Sequence, residues 1–225
     1  TSEIGKLAAG ETKVDILVTP LVTIGVGATL AALCAPPLGK LAMQTGTVIM
    51  WATELQPFLM GILVSVFVGI ALTLPISSAA ICAALGLTGL AGGAAVAGCS
   101  AQMIGFAVQS YRENGVGGLL SQGLGTSMLQ MPNIVRNPRI WIGPIFASAI
   151  TGPLATCVFK LRMDGAAVSS GMGTCGLVGQ IGVFTGWISD MAAGTKAAIT
   201  SFDWLGLLFI SFVLPAILSP IINQG

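Results

Sequence analysis

Between Glu54 and Arg112 the chain carries no Asp, Glu, Lys or Arg. Helices built from such a stretch would have no charged face to turn toward water, whereas acyl chains accept apolar side chains without penalty. The rest of the chain follows the same rule. Hydrophobic residues make up 54% and charged residues 8% of it, against roughly 25% charged in soluble domains. So few charges could not cover the surface of a water-soluble fold. The expectation is one all-α transmembrane domain over residues 1–225, a polytopic helix bundle. At about 20 residues per span there is room for about five to seven spans.

Charges and prolines divide the chain. Residues 16–34 are long and apolar enough to span, and Pro36-Pro37 ends that helix, since proline lacks a donor and clashes with the preceding turn. Residues 38–53 mix Lys40, Gln44 and Thr45 with apolar positions and read as an amphipathic interfacial helix, Trp51 being a headgroup anchor. Residues 58–74, 94–110, 140–159, 169–188 and 204–222 read as further spans. Residues 76–93 and 115–131 are uncharged but crowded with Gly, Ser, Thr and Gln. Both read as re-entrant or broken helices, which a membrane tolerates only where protein or a wet cavity covers the backbone.

Several functions are excluded early. A net charge of +1 without a Lys/Arg run offers no nucleic-acid surface. Cys34, Cys82, Cys99, Cys157 and Cys175 are scattered through apolar segments and read as small core residues. Histidine is absent, which removes the commonest metal ligand and general base; no catalytic residue, metal site or cofactor is expected on this chain.

Gly171, Gly173 and Gly176 match G-x-G-x-x-G, with Asp190 downstream. A dinucleotide fingerprint requires a preceding strand, and the flanks here are a loop and an apolar helix. The stronger reading is a smooth helix, with Gly173, Gly176, Gly179, Gly182 and Gly186 letting another backbone approach. Pro20, Cys34 and Lys40 recur in order as Pro144, Cys157 and Lys160, a faint echo of the kind repeated transporter halves produce.

Polar groups inside apolar segments are the better guide to function, because unpaired they are costly in hydrocarbon. Candidate substrate contacts are Glu54 and Gln56, Ser77 and Ser78, Gln102, Gln122, Thr126, Thr174 and Gln180. Gln122, Thr126 and Gln130 have i, i+4, i+8 spacing, and Gln102 and Gln109 share a helix face. Amides and hydroxyls suit a neutral polyhydroxylated ligand. Two plainer readings stand beside this one: the glutamines hydrogen-bond helices together, and Glu54 anchors the interface.

Five strings are more specific than any of these spacings: DILVTPLVTIG at 15–25, LPISSA at 74–79, MPNIVRNPRIW at 131–141, GPLATCVF at 152–159 and GMGTCGLVGQ at 171–180. They resemble the enzyme IIC membrane components of the bacterial phosphoenolpyruvate-dependent sugar phosphotransferase system, in the branch that includes the perfringolysin regulatory protein. The resemblance implies a multi-pass permease of the bacterial cytoplasmic membrane, dimeric, with a separate enzyme IIB phosphorylating a small neutral sugar at the cytoplasmic mouth. Relatives carry further hydrophobic segments upstream, so it also implies an N-terminally shortened chain. Several relatives place a His and a Glu at the pocket; here there is no His, and Glu54 alone could supply the acid. Two other classes remain open at this level: a membrane-embedded solute sensor without transport, and a secondary transporter coupled to protons through Glu54.

Overall fold

The computed structural model describes residues 43–195 and 197–224, with the isolated positions 24 and 40. The chain divides into two compact units, Thr1–Gln44 and Thr45–Gly225, and nearly all described residues belong to the second. The span expected at 16–34, the Pro36-Pro37 turn and the first part of the expected interfacial helix lie outside the described residues. So do Pro20 and Cys34 of the repeat echo.

Residues 43–55 are helical and leave Val48, Trp51 and Leu55 exposed, an apolar stripe with helical spacing. Then follow α1 (Pro57–Thr73), α2 (Ser78–Leu85), α3 (Gly89–Leu120), α4 (Met131–Arg136), α5 (Ile142–Pro153), α6 (Ala167–Ser170), α7 (Val178–Ala192), α8 (Ser201–Leu208) and α9 (Leu214–Gln224). A π-helical turn, Phe209–Val213, joins α8 to α9. Another, Leu154–Val158, extends α5. Among the described residues, three helical stretches are long and apolar enough to cross a membrane: Gly89–Gly125, Pro138–Val158 and Ser201–Asn223. The fold is an all-α membrane helix bundle, as its composition requires.

α3 is the axis. Gly92, Gly93, Ala94, Ala95, Ala97, Gly98, Cys99 and Ala101 are all buried, and α1, α5 and α9 pack around it. Small residues make this possible, because helices in lipid associate by close van der Waals fit and not by hydrophobic exclusion. A side chain on Gly69 would sit 2.9 Å from the Gly98 carbonyl, and Ser65 Oγ donates to the Ser148 carbonyl at 2.8 Å.

Contacts along α3 define two ends. Gly89 lies beside Arg162, while Glu113, roughly 36 Å further at 1.5 Å per residue, lies beside Arg136. α1 starts at the Arg162 end, where Pro57 O accepts from Thr156 Oγ1 at 2.7 Å. It stops at Thr73, level with Gln102, roughly 20 Å along α3. Residues 58–74 are therefore a helix that reaches the interior and turns back, which corrects the expected simple span. The chain reverses at Pro75, and Ser77 caps α2 by accepting from Ala80 N at 3.1 Å. Gly86 ends α2 in the left-handed conformation (φ 65°). The segment 76–93 is thus broken, as its glycine content foretold: a short helix, a turn, then the start of α3.

Residues 169–188 do not form the expected continuous span. From the Arg162 end the chain runs inward as an extended strip in which Met163 and Gly89 exchange N–H···O bonds of 3.0 Å each way. It then forms α6, turns over residues 171–177, and returns along α7 to the same end, where Gly186 abuts Asp164. The turn has a physical cause: Gly173 (φ 54°), Gly176 (φ 53°) and Leu177 (φ 59°) all adopt positive φ, which no helix accommodates. Of the five glycines read as one smooth helix, only Gly179, Gly182 and Gly186 lie in α7.

Residues 115–131 form the matching feature from the other end. α3 kinks at Gly115 (φ 57°, ψ −150°). The chain passes through a π turn (Ser121–Gly125) and a 3-10 turn (Ser127–Gln130), and α4 carries it back to Arg136.

Candidate functional site: where the hairpin tips meet

The hairpins from opposite ends touch at mid-bundle. Thr174 Oγ1 donates to Gly123 O at 2.6 Å and lies 3.5 Å from Met103 Sδ. Gly173 packs so tightly on α3 that a Cβ there would lie 2.6 Å from Cys99 Cβ. Ser78 Oγ donates to Gly171 O at 2.7 Å, tying α2 to the same tip.

Beside the tips runs a chain of buried hydrogen bonds. Thr73 Oγ1 lies 3.0 Å from Ser127 Oγ and 3.3 Å from Gln102 Oε1. A hydroxyl has one proton, so Thr73 donates to Gln102 and accepts from Ser127. Gln102 Oε1 also accepts from Trp141 Nε1 at 2.9 Å, and its Nε2 donates to Ser148 Oγ at 3.3 Å. Ser148 passes its own proton to Pro144 O at 2.9 Å. Gln102 is fully buried and bonded through both ends of its amide, so it holds α1, α3 and α5 together.

Two amides are not saturated. Gln180 Nε2 donates to Ser100 Oγ at 3.2 Å, but Gln180 Oε1 and Gln122 Oε1 are buried with no hydrogen-bond partner among the described residues. Each such acceptor costs about 1–3 kcal/mol unless a donor reaches it.

Of the candidate residues, Ser78, Gln102, Gln122, Thr174 and Gln180 belong to α3 or to the segments meeting on it. Thr126 is half-buried and caps the 3-10 turn by accepting from Met128 N at 3.2 Å. The ladder through Gln122, Thr126 and Gln130 is not a helix face, because Thr126 is extended (φ −158°, ψ 140°) between two turns. Ser77 is an exposed cap. Glu54 and Gln56 are exposed at the Arg162 end and do not meet Gln102. Among the described residues no strand precedes Gly171, so the glycine motif is a hairpin tip and no dinucleotide fingerprint. Sequence reasoning missed Thr73, Ser127, Trp141 and Ser148. Each looks ordinary in its own segment, and only the fold aims Thr73, Trp141 and Ser148 at the Gln102 amide, with Ser127 joined through Thr73.

The Arg162 end is charged. Arg162 Nη1 lies 3.2 Å from Glu54 Oε1, and Arg162 Nε lies 3.2 Å from Asp164 Oδ2. Burial acts to lower the Arg162 pKa, but the carboxylates of Asp164, Glu54 and Asp190 outweigh it and hold the pKa above its ordinary value. About half of the Arg162 and Glu54 side-chain surface is exposed, so solvent screens the pair. Glu54→Gln is expected to lower stability by less than about 1 kcal/mol, read from thermal unfolding in detergent. A larger loss would mean that the carboxylate supports the fold and is more than a residue at a wet mouth.

A family model described as "Phosphotransferase system, EIIC" matches residues 1–225. No curated protein and no solved structure matches the chain.

Proposed function

The chain belongs to the phosphotransferase system EIIC family, and from that premise we propose that it carries a small neutral hydrophilic solute, a sugar, past the point where its hairpin tips meet. Family membership makes it an integral membrane protein of the phosphotransferase permease type, and such proteins typically work with an enzyme IIB partner. One observation carries the finer reading: the partnerless Gln122 and Gln180 carbonyl oxygens beside the Thr174–Gly123 junction. Buried acceptors of this kind are satisfied by O–H donors, and a sugar supplies several. Opposed hairpins also suit alternating access, since the tips are held together by few side-chain bonds and either can withdraw toward its own end.

In this reading Gln122, Thr126, Thr174 and Gln180 contact the solute at the centre. Ser77 and Ser78 set the adjoining turn, Gln102 braces the wall, and Glu54 with Gln56 lies at the wet mouth. The protein is a multi-pass homodimer of the bacterial cytoplasmic membrane. With no histidine on the chain, the phosphoryl group comes from the partner protein, and this chain's part is to present a sugar hydroxyl.

Sealed vesicles containing the purified chain test this. Accumulated sugar is expected to be phosphorylated only when enzyme IIB and phosphoenolpyruvate are both supplied. Unmodified sugar accumulating without either would remove group translocation and leave a permease. Binding without any flux would make the protein a sensor.

A further inference from the structure

A second polar site lies at the Arg136 end, away from the tips. One face of α3 offers Phe106, Gln109, Ser110 and Glu113, and the returning arm offers Gln130, Asn133, Arg136 and Asn137. Both sets have the spacing of a single helical stripe, and together with Ile140 they enclose a cleft of ≈ 300 Å³. That is the lower end of the usual range for ligand pockets, about 300–1,000 Å³. Resting on the permease reading, we propose that this cleft is a binding site for a free neutral sugar at one mouth of the protein.

The chemistry of the lining supports that class. Four amides each offer donors and an acceptor, Glu113 accepts only, and Arg136 donates only. Together they can serve hydroxyls acting in either sense. Glu113 and Arg136 form no ion pair among the described residues, and within the lining itself one carboxylate stands against one guanidinium. Ile140, half-buried, supplies an apolar wall for the C–H face of a pyranose ring. Its floor is buried (Phe106 1%, Ser110 5% and Gln130 7% exposed), while Glu113, Asn133, Arg136 and Asn137 form an exposed rim.

The cleft is also built firmly. Asn133 Nδ2 donates to Gln130 Oε1 at 2.8 Å, and Gln109 Nε2 donates to Ser219 O at 3.3 Å. Asn223, on α9, clamps the wall twice: its Nδ2 donates to Ile140 O and its Oδ1 accepts from Gly143 N, both at 2.9 Å. The residue after Ile140 is Trp141, whose indole reaches Gln102. The rim is therefore wired to the centre through one turn, the arrangement expected of a waiting site that feeds a translocation path.

Calorimetric titration of the purified full chain with glucose, galactose, mannose, fructose and sorbitol, and with gluconate and glucuronate, tests the proposal. At least one neutral compound should bind, with its Kd raised tenfold or more in both Glu113→Gln and Asn133→Ala. Both positions are exposed, and unchanged melting of each variant would confirm that the fold is kept. Equal affinity in wild type and variants, binding of the two acids alone, or binding of no compound would overturn the site. Vesicle uptake separates this from the permease reading: uptake at wild-type rate and affinity in both variants removes the cleft and leaves the permease.

Discussion

Gly98→Ala is expected to destabilise the protein strongly, because the methyl would be driven into the backbone of α1. The new Cβ would fall on the Ser65 carbonyl oxygen, and Ser65 Cα would be 2.6 Å away. The obstruction is backbone and cannot swing aside, so α1 must move off α3. That movement also strains the Ser65 Oγ bond to Ser148 O. Overpacking typically costs about 1–3 kcal/mol, and a backbone obstacle places this case at the top of that range. Gly117→Ala is the matched control, because a Cβ there meets nothing within 4 Å. In a helix that change should stabilise by up to about 1 kcal/mol. Unfolding midpoints in detergent should therefore shift in opposite directions. Equal shifts would show that α1 and α3 do not cross as closely as described.

Gln102→Leu is expected to cost about 1–3 kcal/mol through one orphaned donor. Thr73 Oγ1 can fall back on Gly69 O at 3.4 Å, and Ser148 keeps Pro144 O at 2.9 Å. The Trp141 indole N–H has no second acceptor among its described bonds. Removing that donor as well should therefore recover much of the loss: Trp141→Phe should cost far less in the Gln102→Leu background than alone. Strict additivity of the two changes would mean that the Trp141–Gln102 bond is absent in the folded protein. Transport assays on the same variants should show whether loosening α1 from α5 disturbs the path beside them.

Much of the bundle could be read along the chain. The uncharged run after Glu54 demanded lipid, the strings from DILVTPLVTIG to GMGTCGLVGQ indicated the family that the whole-length match establishes, and the Gly/Ser/Thr-rich stretches 76–93 and 115–131 marked broken backbone. Residues 169–188 were misread because their hydropathy is that of a span. Hydropathy reports what solvent a segment tolerates, and a buried hairpin tolerates the same apolar neighbours as a helix in lipid. The clue was present in the density of glycine from Gly171 to Gly179, but glycine serves helix crossings and left-handed turns equally well in sequence. Only φ at Gly173, Gly176 and Leu177 separates the two.

The candidate site divides in the same way. That Gln102, Gln122, Thr174 and Gln180 would be buried follows from polar residues sitting within apolar segments. That Gln102 is saturated while Gln122 and Gln180 each keep one carbonyl oxygen without a partner is a matter of neighbours tens of residues away, which no local pattern records. The cleft at the Arg136 end shows the limit most clearly. Glu113 and Arg136 look like ordinary charges flanking apolar segments, and it is the reversal at Gly115 that folds one stripe against the other. Composition determined the solvent and the class of fold, because the cost of exposing a side chain is a property of the residue itself. Tertiary structure alone decided which amides are braces and which are free to bind, because a hydrogen bond is a property of two positions that the chain must first bring together.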